Sequence, residues 1–133
     1  ADSHCLVVNT TGELKFFYEH ATVVFVGKSL TANGGQNPIE PCALGKATVF
    51  GPNMQNFADV VSLFLTEQAV VQVKDAAELE TALARLLTDS AQREQLGRKG
   101  AAVVRQNLGA IDRTVEMILQ GVNDSGIYIA PKR

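Results

Sequence analysis

Residues 22–52 read TVVFVGKSLTANGGQNPIEPCALGKATVFGP. Two runs of β-forming residues frame this stretch, Val23-Val24-Phe25-Val26 and Ala47-Thr48-Val49-Phe50. Both are continuous rather than alternating, as strands covered on both faces are. Between them Gly27 opens a loop that carries Gly34-Gly35, and Asn37-Pro38 introduces a short helix over residues 38–44. Asn is a favoured helix cap, and Pro suits the first helical position because its missing N–H is not needed there. Strand, loop, helix, strand is the pattern of a parallel α/β sheet.

Working outward, Leu6-Val7-Val8 and Ala69-Val70-Val71-Gln72-Val73 read as two further strands. Residues 12–20 carry Leu14, Phe17 and Tyr18 at helical spacing, and residues 56–67 place Phe57, Val60, Val61 and Phe64 on one side. Asp75 caps another helix, with Glu78 completing a capping box and Leu79, Leu83, Leu86 and Leu87 as its buried stripe. Helices follow over 90–107 and 110–120, the second with Ile111, Val115, Ile118 and Leu119 inward, and Gly109 separating the two. The tail from 123 to 133 is polar, then offers Ile127-Tyr128-Ile129, and no structure is assigned to it. A doubly wound nucleotide-binding domain has about six strands, and four are expected here. The first lies almost at residue 1, so the chain reads as a domain truncated on its N-terminal side. An open sheet edge then favours self-association of the isolated piece.

A length of 133 residues fits one domain, and 46% apolar with 20% charged residues is ordinary for a globular chain. A net charge of -2 with no basic stripe argues against nucleic acid. The apolar runs are far shorter than the ~20 residues of a membrane span, and no signal peptide is visible. Cys5 and Cys42 do not make a disulfide framework and read as thiols of a reducing cytoplasm. His4 beside Cys5, and His20 alone near a helix end, give no metal-ligand spacing. The serines show no nucleophile elbow, since G-x-S-x-G is absent, and the absence of a Walker loop and G-x-G-x-x-G disfavours NTPase and dehydrogenase readings.

In parallel α/β sheets, ligands bind beyond the carboxyl ends of the strands. Three segments fall there: residues 9–13, 27–40 and 51–53. In the second, glycines let backbone approach a ligand, and a helix N-terminus attracts anions. Asn37 and Glu40 also have capping-box spacing, so Glu40 either reaches back to the Asn37 N–H or offers its carboxylate to a hydroxyl such as a ribose's. Thr11-Gly12-Glu13 is open in the same way: Thr10 or Thr11 caps the helix with Glu13 favourable at its start, or the loop meets a ligand. Gly51-Pro52-Asn53 reads as a plain turn.

Taken in order, Thr11-Gly12-Glu13-Leu14, Phe17-Tyr18, Val24-Phe25-Val26-Gly27-Lys28-Ser29-Leu30, Gly34-Gly35-Gln36-Asn37-Pro38-Ile39-Glu40, Phe50-Gly51-Pro52 and Asn56-Phe57 resemble the C-terminal part of the 3-deoxy-D-manno-octulosonic acid (Kdo) transferases of Gram-negative bacteria. The resemblance runs from about Leu6 to Ile118. It implies a GT-B glycosyltransferase of two Rossmann-like domains, here the C-terminal, donor-binding one. Such an enzyme moves Kdo from CMP-Kdo to a lipid A precursor in lipopolysaccharide biosynthesis, on the cytoplasmic side of the inner membrane and without a metal or other cofactor. Carried over by position, the nucleotide-sugar contacts are Thr11, Gly12 and Glu13, and Asn37, Pro38, Ile39 and Glu40. The resemblance assigns the catalytic base and most acceptor contacts to the other domain, so this piece alone is expected to be inactive. The chain departs from the family pattern at Asn9 (commonly Asp), Lys28 (Gly), Gln36 and Asn53 (both His). Two readings compete: a GT-B transferase for another nucleotide sugar, and a non-catalytic α/β binding module.

Overall fold

The computed structural model describes residues 4–124. Three strands, β1 (Val23–Val26), β2 (Ala47–Phe50) and β3 (Val71–Gln72), form one parallel sheet in the order β1-β2-β3. The register pairs Val23 with Ala47, Val26 with Phe50, and Val49 with Val71. Around it lie α1 (Leu14–His20), α2 (Ile39–Ala43), a 3-10 turn at Gln55–Phe57, α3 (Ala58–Thr66), α4 (Ala76–Thr88) and α5 (Ser90–Asp124). The expected parallel α/β architecture is therefore present.

Alternation along the strands builds two cores. Val26 and Phe50 face Cys42, Met54, Val61, Phe64, Val103 and Val104, the layer formed by α2, α3 and the middle of α5. Ala47, Val49 and Val73 face the other way, onto Ala82 and Leu86 of α4, with Leu79, Leu83 and Leu96 packed around them. All four residues of β2 are buried, because it has a strand on each edge and helices on each face. Thr48 is its one polar side chain, and its hydroxyl donates to the Lys46 carbonyl at 3.0 Å, as a buried hydroxyl must find a partner.

Several sequence expectations are corrected. Leu6-Val7-Val8 is not a strand: the segment lies outside the sheet, with Leu6 76% and Val7 83% exposed. A run this short extends into a strand only where a neighbouring backbone pairs with it, and none does among the described residues. Within 69–73 only Val71 and Gln72 are strand, although Ala69, Val70 and Val73 are buried. In α4 the inward stripe turns through Ala82 and Leu86, leaving Leu87 58% exposed. Asp75 does cap α4, accepting from the Glu78 N–H at 2.9 Å. Glu78 reaches back one residue further than a capping box would take it, accepting from the Lys74 N–H at 2.9 Å and pairing with Lys74 Nζ at 2.6 Å. Residues 90–107 and 110–120 belong to one helix, α5, which runs through Gly109. An isolated glycine costs a helix only about 1 kcal/mol, too little to break it. The inward residues expected at 111, 115, 118 and 119, and the tail at 125–133, lie outside the described side chains and residues respectively.

α5 crosses close to α2 because Gly97 and Gly100 lack side chains. A Cβ on Gly97 would stand 2.0 Å from the Gly45 carbonyl oxygen, and one on Gly100 would stand 3.3 Å from Cys42 Cβ. Gly97→Ala should therefore cost about 2 kcal/mol, read as a lower urea midpoint with an unchanged m-value. Lys28 shows the opposite situation: it holds φ 67°, a left-handed backbone that disfavours any residue with a Cβ. Lys28→Gly should raise stability in the same assay, by about 1 kcal/mol less glycine's own entropy cost. Cys42 is fully buried, and desolvation raises its thiol from 9.0 to about 11, against the lesser, opposing effect of the nearby Thr48 hydroxyl. The unfolded chain releases that proton more readily, so this contribution is complete below pH 9 and is lost as pH rises through about 11. In a Cys5→Ser background, the remaining thiol should resist a thiol-specific reagent at pH 8 until denaturant is added.

Candidate functional site

The carboxyl ends of β1 and β2 open into the loops 27–38 and 51–54. At the end of β1 lies a cavity of about 440 Å³ lined by Leu14, Tyr18, Phe25, Val26, Gly27, Gln36, Asn37 and Glu40. It is polar on one wall and aromatic and aliphatic on the other, which suits a ligand with one hydroxyl-rich and one planar part.

The polar wall is organised by Asn37. Its Oδ1 accepts from the Ile39 N–H at 2.9 Å, and its Nδ2 donates to Glu40 Oε1 at 3.2 Å. The helix cap itself is Pro38 and no capping box forms, because Glu40 engages the Asn37 side chain rather than its backbone. The two sequence readings of Glu40 thus resolve into one geometry: one carboxylate oxygen is held by Asn37, and the other has no hydrogen bond among the described residues. A carboxylate is acceptor-only, so its complement is a hydroxyl or amine donor rather than phosphate.

Pro38 and Ile39 bound this wall differently. Pro38 is fully buried, and Ile39 packs against the core of α2, α3 and α5, so the side chains of both belong to the scaffold. Thr11, Gly12 and Glu13 are exposed and precede α1. They do not line the cavity, although Leu14, the next residue, does. Neither Thr10 nor Thr11 caps α1: Glu13 holds the cap position with no side-chain cap bond, and the Thr10 hydroxyl donates to the Glu13 carboxylate. His20 lies exposed in the last turn of α1.

Leu14, Phe25 and Tyr18 line the cavity although the sequence marks them as helix-face, strand or resemblance positions and not as ligand contacts; among the three, Tyr18 carries the polar group. Burial and then the Glu40 carboxylate raise its phenol above the ordinary value. It therefore stays protonated at neutral pH and able to donate. The signal in the sequence was present but indirect: Tyr18 follows Leu14 by one helical turn, so both project from the same side of α1. α1 is held in place partly by Lys46, whose Nζ donates to the Glu19 carbonyl at 2.8 Å.

Among the departures from the family pattern, Gln36 lines the cavity with its neutral amide, whereas Lys28 is exposed and lies outside it. Residues 51–53 are more than a plain turn: Gly51 donates its N–H to Ser29 Oγ at 2.8 Å, and Asn53 donates to the Ser29 carbonyl at 3.0 Å. A second cleft of about 470 Å³ lies between β3 and α4, lined in part by Lys74, Glu78 and Arg85. Lys74 and Glu78 satisfy each other across it, and no glycine loop borders it.

Residues 2–103 match the family described as glycosyl transferases group 1. The chain is 32% identical over 118 residues, 88% of its length, to a 3-deoxy-D-manno-octulosonic acid transferase of Haemophilus influenzae. It is 35% identical over 114 residues, 85% of its length, to the transferase of the same name from Bordetella pertussis. It spans about a quarter of these relatives, 28% and 26% of their respective lengths. A crystal structure described as the C-terminal CMP-Kdo binding domain of WaaA from Acinetobacter baumannii superposes with a TM-score of 0.68 at 33% identity. The match covers 73% of this chain and 51% of that one. With its parallel sheet, its glycine-bearing loop at a strand end and this match over residues 2–103, the chain belongs to the glycosyl transferases group 1 family.

Proposed function

We propose that this chain is the donor-binding part of a transferase that moves Kdo from CMP-Kdo to a lipid A precursor. The observation that carries the reading is the cavity at the end of β1, whose polar wall of Gln36, Asn37 and Glu40 belongs to a chain 33% identical to a described CMP-Kdo binding domain. Relatives described as Kdo transferases support the same reaction class.

In this reading the nucleotide ribose sits against Glu40. Its hydroxyls donate to the carboxylate oxygen that Asn37 leaves unoccupied, and Asn37 keeps the carboxylate aimed at them. The Tyr18 phenol and the Gln36 amide add donors to the same wall, while Leu14 and Phe25 offer apolar surface to a base or sugar ring. Thr11, Gly12 and Glu13 approach the ligand from the rim, as the loop immediately before Leu14. Pro38 and Ile39 act through the scaffold, setting the start of α2 beneath the cavity. The acceptor and the group that deprotonates it are assigned to the part of the transferase outside this chain. The work of these residues is binding and orientation, which lowers the barrier by holding the donor in a reactive pose. The lipid acceptor places the full transferase at the cytoplasmic face of the inner membrane; no helix among the described residues is long and apolar enough to cross one.

Titration of the chain by NMR should show CMP binding, with shifts concentrated at Tyr18, Gln36, Asn37 and Glu40. A clear preference for a uridine diphosphate sugar over CMP would overturn the donor assignment. Glu40→Ala should weaken CMP binding by about 10-fold or more, since a hydrogen bond to a charged group contributes roughly 1.5–3 kcal/mol. Glu40→Gln, which keeps an acceptor oxygen, should lose less. Equal affinity of wild type and Glu40→Ala would overturn the ribose role.

A further inference from the structure

Loops 27–38 and 51–54 leave adjacent parallel strands at the same end of the sheet, and the first is fastened to residues 51–56, the second loop and the 3-10 turn that follows it, at two points. The inner fastening is Ser29, which is fully buried. Its hydroxyl donates to the Val26 carbonyl at 2.6 Å and accepts from the Gly51 N–H at 2.8 Å, while its own carbonyl accepts from the Asn53 N–H at 3.0 Å. The contact is too close for a side chain at 51, where a Cβ would stand 2.4 Å from the Ser29 carbonyl oxygen.

The outer fastening lies beyond it. Gln55 Oε1 accepts from the Gly34 N–H at 2.8 Å, and the Gly34 carbonyl accepts from the Asn56 N–H at 3.3 Å. Gly34 and Gly35 hold φ of 101° and 67°, and a Cβ on Gly35 would stand 2.4 Å from Met54 Sδ. Only Gly35 and Gln36 then separate the hydrogen-bonded Gly34 from Asn37, so the backbone carrying the polar wall of the cavity leaves from close to a clamped point.

We propose that Ser29 and Gln55 are positioning residues for the donor cavity, acting through the loop backbone on Gln36, Asn37 and Glu40. Neither side chain lines the cavity. The inference rests on the donor reading of that cavity. Its physical basis is pre-organisation. Ordering a loop residue costs roughly 1–2 kcal/mol, and a loop already clamped by the neighbouring loop does not meet that cost when ligand arrives. Both oxygens involved accept a backbone N–H that has no other partner in the strand ladder, so removing either acceptor releases the loop at a defined amide.

Amide hydrogen exchange and CMP titration on wild type, Ser29→Ala, Gln55→Ala and Gln55→Glu test this. Gln55 is a surface residue, so its variants fold even if Ser29→Ala does not. Gln55→Ala should speed exchange about 10-fold at Gly34 and also at Gln36, Asn37 and Ile39, leave α4 amides unchanged, and weaken CMP binding about fivefold. Gln55→Glu keeps the acceptor oxygen and should restore both readouts. Faster exchange confined to Gly34, or wild-type CMP affinity in Gln55→Ala, would overturn the positioning role. A wild-type chain that binds no CMP would instead overturn the donor reading, and exchange at residues 36–39 would still decide whether the clamp holds the loop.

Discussion

The rest of the structure depends on the burial of β2. Its four residues are covered on both faces and paired on both edges, so every neighbouring element is placed by what it must cover. Ala47 and Val49 require α4 on one side, and Phe50 requires α2, α3 and α5 on the other. Because both neighbours run parallel to it, the connections out of β1 and β2 emerge at the same end of the sheet. That one topological fact brings residues 27–38 beside residues 51–54. The buried strand thus sets the location of the cavity as well as the core.

The same loop serves folding and recognition without conflict between the two. Asn37 uses one end of its amide on the first N–H of α2 and the other on Glu40. A side chain that only capped the helix would leave the Glu40 carboxylate free to rotate. A Glu40 that reached back to the backbone would have less of its acceptor capacity turned to a ligand. The observed arrangement avoids both, and it does so with a five-residue helix whose underside is anchored by buried Pro41 and Cys42.

α1 has a different status. None of its residues is buried, and Phe16 is 63% exposed. It is tied to the body by Lys46 at its carboxyl end and contributes Leu14 and Tyr18 to the cavity. Burial first, and then the nearby Glu40 carboxylate, raise the Tyr18 phenol, an effect that required the helix to fold back over the end of β1.

What the sequence determined by itself was the composition of the strands and the local chemistry of the loops. The β-forming runs at 23–26 and 47–50 are both strands, but only the second is buried on both faces; in the first Phe25 is exposed and lines the cavity. Glycines, Asn37, Pro38 and Glu40 marked a loop and helix start with a carboxylate beside it, and Asp75 marked the start of α4, because caps depend on near neighbours. Pairing and continuity were not legible in this way. Leu6-Val7-Val8 has strand composition, but a strand needs a partner backbone, which a linear pattern does not name. Gly109 looks like a break, but whether a helix continues through it depends on packing along its whole length. Only the tertiary structure decided that Glu40 would face Tyr18, that Ser29 would hold Gly51, and that Gln55 would close on Gly34. Those contacts join residues about 20 positions apart, and the geometry of parallel strands, rather than any local preference, brings them together.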